Sequence, residues 1–140
     1  SQILIVKNER ITGEKIHKIL SQKGYKVDVW DGNSRVCSKF REKPYSIVIL
    51  DYPLLGINIS NLVSSLKEIK EDVRVLFLIR NQDQKEKIEN VLEKDFFDYC
   101  VKPCKIEDFL TKINNLINNN EVYLNKKIIE IIPYITPEKK

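Results

Sequence analysis

The chain has 140 residues, 42% hydrophobic and 31% charged, with a formal net charge of +4. That length suits one domain with a single sizeable core. No stretch approaches the roughly eighteen unbroken apolar residues of a membrane span, no secretory signal is visible, and no basic stripe with interleaved aromatics marks a nucleic-acid surface. Cys37, Cys100 and Cys104 are an odd set of thiols in a chain of ordinary core size, which points to reduced cysteines and a cytoplasmic setting, not a disulfide frame. The start at Ser1-Gln2 leaves the native N-terminus open.

Ile3-Leu4-Ile5-Val6 is a short, wholly apolar run that ends at Lys7-Asn8-Glu9 and reads as a first strand. Ile11, Ile16, Ile19 and Leu20 fall near helical spacing, and Gly24 supplies a stop. Val27-Asp28-Val29-Trp30 alternates as an edge strand does, Asp31-Gly32-Asn33 turns the chain, and Val36, Cys37 and Phe40 predict a short helix ended by Pro44. Ser46 to Asp51 is the central stretch. Apolar on both faces, it predicts a strand inside a covered sheet, with Asp51 at the carboxyl edge and Tyr52-Pro53 breaking the run.

Ile59, Leu62, Val63, Leu66 and Ile69 mark an amphipathic helix with Asn58 placed to cap it. Val73 to Ile79 is a fourth apolar strand. Asp83 to Lys94 is mostly polar, with Ile88, Val91 and Leu92 in one narrow stripe, and predicts the most exposed helix. Phe97 to Val101 reads as a fifth strand, ending at Lys102-Pro103. Ile106, Phe109, Leu110, Ile113, Leu116 and Ile117 then give the strongest helical stripe, which stops at Asn118-Asn119-Asn120.

Strands alternating with helices through short loops predict an α/β fold: a doubly wound, five-stranded parallel sheet, order 2-1-3-4-5, with helices on both faces. The switch point between strands one and three faces Lys7, Asn8 and Asp51, and strands four and five add Ile79, Arg80 and Lys102 to the same rim. Residues 1–120 make the domain; 121–140 fall outside the repeating pattern. Val122 to Leu124 and Ile128 to Ile132 carry enough apolar surface to pack back on the domain or to begin a linker toward an absent output domain.

With Ile3-Leu4-Ile5-Val6, Val48-Ile49-Leu50-Asp51 and Tyr99-Cys100-Val101-Lys102-Pro103 in place, the chain resembles the receiver domain of bacterial two-component response regulators, the chemotaxis receiver among them, from Ile3 to about Asn119. The resemblance implies the flavodoxin-like version of the fold. It makes Asp51 the position that accepts a phosphoryl group from a histidine kinase and Lys102 the residue pairing with the phosphoryl oxygens. Pro103 becomes the proline after a cis peptide bond, and Tyr99 the aromatic switch position. A covalently linked output domain, other signalling proteins and a homodimer through the face of helix four, strand five and helix five are the partners it implies.

The departures from the family pattern are as informative. Two acidic residues normally hold magnesium beside the acceptor; Lys7 and Asn8 stand there, with Glu9 just past the pair. Ile79 replaces the hydroxyl residue that ends strand four, and Arg80 its usually small successor. Leu55 and Ile59 replace a proline and a glycine common after the acceptor. Magnesium wants several oxygen ligands in near-octahedral order, so binding is expected to be weak or absent and no cofactor is expected.

An ammonium from Lys7 about 4 Å from Asp51 would attract it by roughly 4 kcal/mol at an effective dielectric of about 20, before desolvation. Lys7, Asp51 and Lys102 are therefore expected to form a triad that locks a degenerate, phosphorylation-independent interaction module, not an enzyme. The alternatives are a working phospho-acceptor at Asp51 and a flavodoxin-like cofactor binder, the latter opposed by the chemistry of Lys7-Asn8-Glu9. His17 reads as a surface residue, and Cys100 and Cys104 as a core thiol and a loop thiol, too few for a metal site.

Overall fold

A computed structural model describes residues 2–7, 10–31, 35–54, 56–92 and 97–118. The extension 121–140 and its boundary lie outside the described residues. The elements are β1 (Gln2–Lys7), α1 (Arg10–Gln22), β2 (Lys26–Asp31), α2 (Val36–Arg41), β3 (Ile47–Asp51), α3 (Ile59–Ile69), β4 (Arg74–Ile79), α4 (Gln82–Val91) and β5 (Phe97–Val101). A last helix, α5, spans 106–118.

All five strands are parallel in one sheet, order β2-β1-β3-β4-β5, as the sequence predicts. Side chains alternate across a strand, so each apolar run feeds two cores. Leu4, Val6, Val48, Leu50, Val75, Phe77 and Ile79 pack under α2, α3 and α4. Ile3, Ile5, Ile47, Ile49, Leu76 and Leu78 face Ile16 and Leu20 of α1 and Phe109, Ile113 and Leu116 of α5. A two-sided core is why β3 and β4 read as unbroken apolar runs, and every residue of both is buried. The edge strand β2 is half-buried, and its Asp28 accepts from Tyr45 Oη at 2.6 Å and Lys43 Nζ at 2.9 Å.

Helix starts are set by side chains that accept from otherwise orphaned amides. Asn58 caps α3 through the Asn61 amide at 3.0 Å, as expected, and Asn81 caps α4 the same way through Gln84 at 3.0 Å. Two details correct the expected stripes. α4 stops at Val91, where Leu92 turns extended (φ −127°) and tucks against the core, which leaves Val91 53% exposed. Ile106, at the first turn of α5, is 52% exposed because the helix core begins only at Phe109.

At the amino end of β4, Arg74 is only 3% exposed, and its guanidinium donates to the carbonyls of Asp72 and Val73, both at 3.2 Å. No helix among the described residues is long and apolar enough to cross a membrane.

Candidate functional site

Asp51 closes β3 at the carboxyl edge, beside Leu78 of β4 and 2% exposed. Burying a carboxylate is costly unless a counter-charge and hydrogen bonds meet it. Lys102 meets it: Nζ lies 2.6 Å from Asp51 Oδ1. The lysine is delivered by the end of β5, where its backbone amide donates to the Ile79 carbonyl at 2.8 Å, and the Lys102-Pro103 bond is cis. The sequence positions for acceptor and pairing lysine therefore come together, 51 residues apart in the chain.

Lys7 does not complete a triad, which corrects the expected lock. Its ammonium makes its ion pair with Asp31, 3.4 Å away and opposite it in the β1–β2 register. The physical reason is space and competition. Gly13 of α1 leaves room for the lysine stem, such that an added Cβ there would meet Lys7 Cδ at 3.1 Å, and Lys102 already neutralises Asp51. Asp31 has a side chain 71% exposed, so this pair is worth at most about 1 kcal/mol.

Ile79 is fully buried in the α2–α4 core, with no hydroxyl to offer, while Arg80 after it is exposed and its amide donates to Gln84 Oε1 at 2.6 Å. Asn8, Glu9 and Leu55 lie outside the described residues. Ile59 opens α3 as a core residue. The turn after Asp51 instead uses a cis Tyr52-Pro53 bond and Gly56 at φ +71°, a backbone region that suits glycine. The described donors do not make a magnesium cage. No group of three or more His, Cys, Asp or Glu gathers among the described residues, and the carboxylate of Asp51 is already committed to an ammonium.

Tyr99 is half-buried on β5 against the α2–α4 core. Its ring is flanked by two cations that sequence reading missed: Lys85 Nζ of α4 at 5.1 Å and Lys112 Nζ of α5 at 5.2 Å from the centroid, within cation–π reach. Lys112 also pairs with Asp98 at 3.2 Å. Neither lysine shows a linear signal, since they sit 14 residues before and 13 after Tyr99 and only the parallel stacking of α4, β5 and α5 brings them to it. His17, in α1, is exposed beside the cleft that Lys7 and Asp31 also line.

A five-stranded sheet of this order with a buried aspartate paired to a lysine at its carboxyl edge is the arrangement of a flavodoxin-like signalling receiver. The chain belongs to the response regulator receiver domain family, whose model matches residues 3–114. It is 27% identical to the transcriptional regulatory protein PcoR of Escherichia coli over 116 residues, 83% of this chain and 51% of PcoR. The chain thus spans about half the length of that curated relative.

Two of the solved structures that share its fold illustrate the likeness. One is a Clostridium thermocellum response regulator receiver domain protein (TM-score 0.73, 21% identity, 88% of this chain and 98% of that one). The other is a Rhodopirellula baltica protein named as an adenylate cyclase (TM-score 0.78, 22% identity, 91% and 95%). At such identities the likeness is one of fold.

Proposed function

We propose that this receiver domain signals by protein contact, as a degenerate member whose pocket is held by its own ion pair and does not depend on phosphorylation. The observation that carries the reading is the rim around Asp51, where Lys7 pairs with Asp31 in place of an acid and β4 ends in the fully buried, apolar Ile79. Phosphoryl transfer to a carboxylate needs the combined negative charge neutralised. Here β1 contributes Lys7 and not a carboxylate, and the hydroxyl of strand four is absent. The domain is thus a non-catalytic module of a cytoplasmic signalling protein, with 121–140 leading to an output domain.

The docking face is that of α4, β5 and α5, where Tyr99 joins Lys85 to Lys112 and the exposed Val91 and Val101 offer apolar contact to a histidine kinase, another signalling protein or a second copy. Incubation with acetyl phosphate and magnesium, followed by intact-mass measurement, tests the reading. An unchanged mass is expected. A gain of one phosphoryl group that disappears in Asp51→Asn would overturn it in favour of the ordinary phospho-acceptor, the second reading that the retained Asp51–Lys102 pairing supports.

A further inference from the structure

Two thiols flank the turn that carries Lys102 to Asp51. Cys100, next to last in β5, is 1% exposed in the α1–α5 core; Cys104, just past the turn, is half-buried against the same core. The Cys104 side chain is near enough to Cys100 to raise its thiol, and Cys104 Sγ itself donates to the Lys105 carbonyl at 3.5 Å. Both line a cleft of about 570 Å³ beside α5, and Cys104 also lines one of about 400 Å³ between α1 and α5 that Lys102 shares. An oxidant in solution thus reaches Cys104 from two sides. Cys37 belongs to the opposite core, and all three thiols are free.

We propose that Cys100 and Cys104 are an oxidisable dithiol, closed by peroxide to an intramolecular disulfide that alters how Lys102 meets Asp51. The Cys104 sulfur attacks one peroxide oxygen. The O–O bond breaks, the other oxygen departs as water with the thiol proton, and Cys104 becomes a sulfenic acid. Cys100 then attacks that sulfur, the S–O bond breaks, and the hydroxyl leaves as a second water with the Cys100 proton. Two thiols lose two electrons and two protons, and one peroxide becomes two waters.

The order follows from exposure. Burial, then the neighbouring Cys104, pushes the Cys100 thiol up to about 12, which keeps it protonated and slow toward a free oxidant. It reacts with the sulfur across the turn, which lines the same cleft. Closure requires the sulfurs to approach to about 2.05 Å, a movement left to the half-buried Cys104 side chain. The ring so formed contains Val101, Lys102 and Pro103, so the lysine that neutralises Asp51 becomes part of a short covalent loop.

The test uses the full chain, reduced, desalted and treated with hydrogen peroxide, then alkylated in denaturant and digested with trypsin. Trypsin spares the Lys102-Pro103 bond, so both thiols travel on one peptide, residues 95–105. That peptide is expected to lose two hydrogens and take no alkyl group, while Cys37 takes one; prior reduction restores two. Cys37→Ser should bridge like the parent, and Cys104→Ser should not. In amide NMR spectra the Asp51 and Lys102 signals should shift on oxidation and return on reduction. A peptide that keeps both thiols alkylatable, bridges only between molecules, or over-oxidises to sulfinic acid overturns the dithiol. A bridged form with unmoved Asp51 and Lys102 signals overturns the coupling.

Discussion

Replacing Lys102 by Met keeps the stem and removes the charge that faces a buried carboxylate. At 2.6 Å the pair attracts by about 6 kcal/mol at an effective dielectric of about 20. Desolvation of Asp51, and solvent at a lysine side chain 21% exposed, reduce the net cost to about 3 kcal/mol, the usual scale for orphaning one partner of a buried pair. Urea unfolding should show that loss at neutral pH, with a thermal midpoint lower by roughly 10 °C. Asp51→Asn in the Lys102→Met background removes the orphaned charge and should recover about 2 kcal/mol. Because the two residues touch, the cycle is diagnostic. If the single effects add within about 0.5 kcal/mol, the ion pair is not what holds the pocket closed.

Tyr45→Phe deletes the hydroxyl on Asp28 and should cost about 1 kcal/mol at pH 7. The Tyr45 hydroxyl, then Lys43, holds the Asp28 carboxyl below its ordinary range. Its stabilisation is therefore present above the unfolded value of about 3.9 and is lost as pH falls through the folded one. Urea midpoints from pH 7 down to pH 3 should accordingly fall less steeply in Tyr45→Phe than in the parent. Gly13→Ala should gain about 0.5–1 kcal/mol of helix stability in a Lys7→Ala background and less in the parent, where the new methyl crowds the Lys7 stem; thermal melts of the four proteins check this. Ile79→Thr places a hydroxyl in an apolar core and should cost about 2 kcal/mol in urea unfolding, while intact-mass measurement with acetyl phosphate shows no phosphoryl gain.

Apolar periodicity made the fold legible: Val48 to Leu50 and Val75 to Ile79 announce covered strands, and Asp51 and Lys102 announce the rim between them. What escaped depends on partners remote in sequence. Lys7 lies between carboxylates at 31 and 51, and its choice turns on Gly13 and on Lys102, neither of which a strand pattern weighs. Val91 and Ile106 fit their helical stripes by spacing, yet helix ends and the neighbours that cover them decide burial. The polar tie from Asp28 to Tyr45 likewise joins an edge strand to the loop before β3, and the cations around Tyr99 come from two helices that flank its strand.

Arg74 has a consequence for how the sheet finds its alignment. A strand covered on both sides gains nothing from alternation: slide Val75 to Ile79 by one place and apolar groups still meet apolar groups. The same slide would carry a guanidinium that is 3% exposed at the base of the strand into hydrocarbon, with the Asp72 and Val73 carbonyls it serves moving along with it. A single charged head at one end of β4 thus acts as its ruler, and the opposite of Leu78 and Asp51 at the far end is measured from it.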